Sequence, residues 1–221
     1  MEEEKDPEQQ SEAVSDQQAS PKATEETTPS DAASKSEGKL NAAWTFWFDN
    51  PKIATTGEWK DSLKRLATFD TVEKFWAVYN NIRCPTDVAV ASNYSLFREG
   101  IEPTWEDPQN TDGGKFVFTI SKRDSKSGKT DEWWLFTVLA VVGETLDADG
   151  SQVNGCVISI RKNQDRIALW LRSRKKPVCI EVGMRFKKAL RLDDKMTLRY
   201  QTHSDAAATG HSFRNEVHFE V

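Results

Sequence analysis

Trp105 and Glu106 stand side by side just after the turn-making pair Glu102-Pro103, on a loop rather than in a strand interior. An indole face beside a carboxylate suits a flat, cationic ring that donates hydrogen bonds. Positive charge on such a ring strengthens its stacking on indole, and a carboxylate can accept a two-donor edge through charge-assisted bonds. Guanine methylated at N7 is a ring of this kind.

Two arginines add a second chemistry. Val157-Ile-Ser-Ile-Arg161 and Arg166-Ile-Ala-Leu-Trp-Leu171 alternate as strands, and Lys162-Asn-Gln-Asp165 joins them as a hairpin. By parity Val157, Ser159 and Arg161 share one face, and Arg166, Ala168 and Trp170 share one face of the return strand. Arg161 and Arg166 therefore flank one turn. Forked guanidinium donors suit phosphate, although arginines at a hairpin end are more often simply solvated. A second isolated indole, Trp59, lies in the polar Thr55-Thr-Gly-Glu-Trp-Lys60 with charge on both sides. Pattern alone divides it evenly between core and ligand.

These groups need a scaffold. Trp44-Thr-Phe-Trp-Phe48 is a short aromatic strand ending at Asp49-Asn50-Pro51. Asp70-Thr-Val-Glu73 has the form of an N-cap with a capping-box Glu, and Val72, Phe75, Trp76 and Tyr79 follow at helical spacing. Lys115 to Ile120 alternates as a strand, Ser121 to Thr130 is polar and turn-rich, and Asp131 to Glu144 is an apolar helix. Gly128-Lys-Thr130 is no phosphate loop, because Arg123 stands where that motif requires Gly. A third helix runs from Val178 to Leu190. Met196 to Tyr200 and Phe213 to Val221 are closing strands, with a small mobile loop, Thr202 to Ser212, between them. Strands from every quarter of the chain with about three long helices, outside strict β-α-β alternation, predict an α+β domain.

The segment Tyr94-Ser-Leu-Phe-Arg-Glu-Gly-Ile-Glu-Pro-Thr-Trp-Glu-Asp107, with Phe69-Asp-Thr-Val-Glu-Lys-Phe-Trp76 before it and Ile167-Ala-Leu-Trp170 after it, resembles eukaryotic translation initiation factor 4E, the mRNA cap-binding family. The match runs in order from about Leu40 to Val221. The resemblance implies one curved antiparallel sheet with the helices on its convex back and the ligand in its concave face. It implies that Trp59 and Trp105 sandwich the base of the 7-methylguanosine cap, that Glu106 accepts from its edge, and that Trp170 touches the methyl. Arg161, Arg166 and Lys115 would hold the cap phosphates. On the dorsal surface Leu40, Val72, Trp76, Leu135 and Gly143 would receive a Tyr-x-x-x-x-Leu-Φ helix, Φ being any apolar residue, from the scaffold initiation factor or from competing inhibitory proteins. The chain would act as a monomer in the cytoplasm, with the nucleus a second compartment, and would need no cofactor, metal or catalytic residue.

Two departures fall on the dorsal side. Gly38-Lys39-Leu40 stands where the family usually has His-Pro-Leu, and Phe136 stands where an acid is common. They make a regulatory cap binder, one that occupies the cap without recruiting the translation machinery, the main alternative. A cap-hydrolysing enzyme fits poorly, since His203, His211 and His218 cluster near the C-terminus without ligand-like spacing. The blandest alternative is an interaction domain whose eight tryptophans are all core.

Composition agrees with one domain and a tail. The chain has 221 residues, 37% of them apolar, enough for one sizeable core. Residues 1–39 carry a net charge of −7 and no aromatic, which predicts a disordered tail. Residues 40–221 carry +2, so nucleic acid must be met by a local basic patch rather than a bulk field. Three cysteines without a C-x-x-C pair suggest neither a disulfide framework nor a zinc site, and no apolar run reaches the roughly 18 residues of a membrane span.

Overall fold

Large apolar residues alternate along the strands, and that alternation decides the layering. The computed structural model describes residues 38–50, 62–210 and 215–221. Residues 1–37 of the acidic tail and Trp59 lie outside the described residues. Strand β1 (Lys39–Asp49) is followed by β2 (Lys64–Thr71) and helix α1 (Val72–Tyr79), then by β3 (Asn93–Arg98) and β4 (Gly114–Ser121). Helices α2 (Lys122–Lys126) and α3 (Lys129–Val142) lead to the hairpin β5 (Val153–Ser159) and β6 (Gln164–Leu171). Helix α4 (Lys176–Ala189), strand β7 (Arg199–Thr202), helix α5 (His203–Thr209) and strand β8 (Phe219–Glu220) complete the order.

Among the described residues the strands form one eight-stranded sheet, β2-β1-β3-β5-β6-β4-β7-β8, curved and unclosed, with antiparallel neighbours throughout. One set of alternating positions, including Trp44, Phe46, Leu96, Cys156, Leu169 and Phe116, joins Phe75 of α1, Trp134 and Val138 of α3 and Phe186 of α4 in a single buried cluster. Helices therefore cover one face of the sheet. Phe97 and Trp170, at the opposite parity, belong to a separate small cluster on the other face. This is the α+β architecture expected.

Several local expectations need correction. The cap of α1 is Thr71, whose hydroxyl accepts from the backbone N–H of Lys74 at 3.2 Å, and not Asp70. Asp70 instead pairs with Lys74 Nζ at 2.9 Å, and Glu73 receives the Gly38 N–H. The polar stretch after β4 is largely helical: Ser121 caps α2 by accepting from Asp124 N, and α3 begins at Lys129. The segment after β7 is helix α5 through Thr209, capped by Thr202 accepting from Asp205 N. In both places a Ser/Thr-x-x-Asp cap, a known start signal, lay beneath a composition that reads as loop. Strand β7 sits three residues later than expected, and only Phe219–Glu220 pairs as β8. Phe213 and Ser212 lie outside the described residues.

Candidate ligand pocket on the open sheet face

On the open face Phe97, Ile101 and Trp170 are buried, and Trp105, Val157 and Ala168 pack against them. Beside this cluster lies a cavity of about 220 Å³ lined by Asp49, Asn93, Ser95, Pro103, Thr104, Trp105, Val157, Ser159, Arg161 and Trp170. Aromatic walls with a few polar groups are what a small flat ligand requires.

Trp105 reaches the cavity from a segment without regular structure, so its position depends on side-chain hydrogen bonds. The Asp107 carboxylate accepts from Glu102 N at 2.9 Å and from Gln109 N at 2.8 Å. The buried Asn110 amide donates to the carbonyls of Glu102 and Thr104 at 3.0 and 2.7 Å. From β5, Asn154 donates to Gln109 O at 2.6 Å and ties the loop to the sheet. The loop that carries Trp105 is thereby fixed by its own hydrogen bonds. Glu106, next along, is exposed and stands outside the cavity lining.

Trp170 is set differently, as an inward residue of β6 that is 5% exposed. Phe97 meets it edge-on with ring centroids 5.3 Å apart, and the His203 ring lies 4.1 Å from it at 36°. Lys115, its cross-strand partner on β4, places Nζ 5.7 Å from the ring centre. Lys115 is only 2% exposed, and burial, with the Arg166 charge adding to it, pushes its pKa down to about 7. His203 is fully buried, and burial followed by the Lys115 charge lowers it to about 3. Lys115 therefore lies against Trp170 within the protein and is not among the residues that line the cavity.

Arg161 does line the cavity. Its backbone N–H donates to the buried Asp165 carboxylate at 2.9 Å, and its guanidinium donates to Ser92 O, Ile160 O and Asn93 Oδ1 at 3.1, 3.0 and 2.7 Å. Arg166 pairs in register with Ser159, a lining residue, and shares its face just beyond the cavity. Burial lowers both guanidinium pKa values, and for Arg161 the Arg166 charge adds to the effect. The structure thus gathers Trp105, Trp170 and Arg161 about one cavity with Arg166 at its margin.

The family model described as Eukaryotic initiation factor 4E matches residues 39–218. The chain belongs to the eukaryotic initiation factor 4E family. It is 41% identical over 185 residues to eukaryotic translation initiation factor 4E of Saccharomyces cerevisiae, covering 83% of this chain and 85% of that protein. Initiation factor 4E-2 of Schizosaccharomyces pombe is 43% identical over 173 residues, 77% and 69% of the two chains. Among solved structures, Ascaris suum eIF4E-3 in complex with the m2,2,7G cap superposes with a TM-score of 0.75 at 31% identity, covering 84% of this chain and 98% of that one. Caenorhabditis elegans eIF4E-3 in complex with the 4E-binding protein Mextli and a cap analogue gives 0.75 at 32%, covering 84% and 99%.

The residues expected on the dorsal surface lie on the helix-covered side. Val72 and Trp76 on α1 are 42% and 36% exposed despite their apolar side chains. Leu135 on α3 is half-buried, Gly143 caps the end of α3 and is exposed, and Leu40 on β1 is partly buried against the core. Leu139, exposed on α3, is a candidate the sequence pattern did not single out. Gly38 is fixed against α1: its carbonyl accepts from Val72 N at 2.8 Å and its N–H donates to Glu73. Phe136 packs on the core beneath the Arg191 guanidinium, which lies 5.0 Å from its ring. Asp49, Asn93, Asn110, Asn154 and Asp165 were also missed. Asn110, within Pro108-Gln-Asn-Thr-Asp-Gly113, Asp49, within Asp49-Asn50-Pro51, and Asp165, at the hairpin turn, lay in turn signals that did not reveal their partners. Asn93 and Asn154 act on residues brought near by strand pairing, which a single sequence does not display.

Proposed function

We propose that the chain binds the 7-methylguanosine cap of mRNA on the open face and docks a Tyr-x-x-x-x-Leu-Φ helix, carried by the scaffold initiation factor or a competing inhibitory protein, on the helix-covered face, so recruiting ribosomes for translation initiation in the cytoplasm. The observation that carries this is the cavity walled by Trp105 and Trp170 with Arg161 at one side, in a member of a family whose solved relatives include complexes with caps and with a 4E-binding protein. The activity is recognition, with no bond made or broken.

In this reading Trp105 stacks on the methylated base from one side and Trp59 from the other, each contact contributing on the order of 1–3 kcal/mol. Glu106 turns inward to accept from the guanine edge and rejects adenine, which lacks that pair of donors. Trp170 meets the methyl group. Arg161 and Arg166 take the phosphates, and Lys115 acts through its field from beneath Trp170. Methylated guanine is favoured over guanine because its positive charge faces indole, a term of about 2 kcal/mol when desolvated.

The test is titration with 7-methyl-GTP and, separately, GTP, followed by tryptophan fluorescence. Strong quenching by the methylated nucleotide alone supports the reading. Equal quenching by both, or none, overturns it.

A further inference from the structure

Arg161 belongs to a three-residue hydrogen-bonded chain along the cavity wall. Its Nη2 donates to Asn93 Oδ1 at 2.7 Å, and Asn93 Nδ2 donates onward to Asp49 Oδ2 at 2.7 Å. The sheet fixes all three: Asp49 of β1 pairs with Asn93 of β3, and Asn93 pairs with Ser159 of β5, two residues before Arg161. All three residues line the cavity.

The order of groups has a direction. An amide presents an oxygen at one end and N–H donors at the other, while a guanidinium only donates and a carboxylate only accepts. Asp49 therefore requires the amide nitrogen on its own side, and the oxygen must face Arg161. Without that acceptor the amide is free to turn over, and two sets of donors would then meet. Of the five N–H donors of Arg161, three are held by Ser92, Ile160 and Asn93. Two remain to meet an anion in the cavity. Asp49 is meanwhile a buried carboxylate, 7% exposed, in the same cavity wall. Burial raises its pKa, while the Asn93 bond and the Arg161 charge oppose that shift.

We propose that Asn93, its amide oriented by Asp49, is the positioning residue that aims Arg161 at the ligand's phosphates, and that the negative charge of Asp49 limits the strength of that phosphate contact. This rests on the cap-binding reading above. In that reading the base is held by the tryptophans and Glu106, while Asn93 and Asp49 act through Arg161, so their effect falls mainly on ligands that carry phosphate.

The experiment compares 7-methyl-GTP with the 7-methylguanosine nucleoside, titrated by fluorescence into the full-length protein and into two variants. Asn93→Leu weakens 7-methyl-GTP about tenfold and leaves the nucleoside within about twofold. Asp49→Asn keeps an acceptor for the Asn93 amide and removes the charge, so it strengthens 7-methyl-GTP about threefold or more with the nucleoside unchanged. Asp49→Asn is the milder change and keeps the test decisive if Asn93→Leu fails to fold. Equal losses for both ligands in Asn93→Leu would mark Asn93 as merely structural, and weaker 7-methyl-GTP binding by Asp49→Asn would remove the role given to its charge. Either result overturns the proposal while leaving the cap reading intact. Failure of the unmodified protein to bind either methylated ligand overturns both.

Discussion

The buried carboxylate of Asp165 accepts the backbone N–H of Arg161 at 2.9 Å, closing the hairpin from whose two ends the pocket arginines project. The same carboxylate receives Lys122 Nζ and Ser125 Oγ of α2, each at 2.7 Å. Asp165 thus joins the phosphate end of the pocket to a short helix that has no buried residue of its own. Asp165→Ala leaves an N–H and a hydroxyl unmet, although Lys122, with a third of its side chain exposed, can rehydrate. The expected loss is about 2–3 kcal/mol, read from the denaturation midpoint, with weaker 7-methyl-GTP binding and a smaller change for the nucleoside.

Trp105 and Trp170 share the cavity but differ in what holds them. Trp105 is half-buried on a hydrogen-bonded loop, whereas Trp170 is 5% exposed and packed between Phe97 and His203. Trp105→Ala is therefore expected to leave the melting temperature within a few degrees of the parent while binding of 7-methyl-GTP is lost. Trp170→Ala is expected to cost about 3 kcal/mol of stability as a buried large-to-small change, in addition to weakening the ligand. A fold that collapses on loss of Trp105 would instead favour the all-core reading of the tryptophans.

Periodicity made the strands and long helices legible, because each buries one face and so carries a readable repeat. The hairpin expected between Arg161 and Arg166 is present, with Ser159 paired to Arg166. The burial of Lys115 was not legible in the sequence. A lysine in an alternating strand gives no sign of burial by itself, but its cross-strand neighbours Trp170 and Gln201 are both buried beside it. Helices α2 and α5 were hidden because one or two capped turns have too few residues to show a repeat. The Asp49–Asn93–Arg161 chain spans 112 residues of sequence and exists only once β1, β3 and β5 are paired.

Trp76 gives the test of the dorsal face. Its indole is 36% exposed yet locked edge-on against Phe75 at 4.8 Å and Tyr79 at 6.0 Å, a rigid apolar anchor of the kind that dominates helix-in-groove contacts. Trp76→Ala is expected to weaken a Tyr-x-x-x-x-Leu-Φ peptide by about 2 kcal/mol or more and to leave 7-methyl-GTP binding unchanged. Calorimetric titration of both ligands checks this. If the unmodified protein ignores the peptide while binding the cap analogue, it is a regulatory cap binder.

His203 predicts how stability responds to acid. Fully buried against Trp170, it has a folded pKa of about 3 against an ordinary value of 6.5. Between these values the unfolded chain holds a proton that the folded protein refuses, so this contribution is fully present above about pH 6.5 and is lost as pH falls toward 3. The slope from this group approaches about 1.4 kcal/mol per pH unit inside the window. Lys115, lowered to about 7 from 10.5, acts with the same sign at higher pH, and stability should rise between those values. His203→Phe keeps a flat ring beside Trp170 and removes the titrating nitrogens. Denaturation midpoints measured from pH 4 to 7 should then fall less steeply for His203→Phe than for the parent, and equal slopes would mean that His203 is charged in the folded protein or does not titrate in this window.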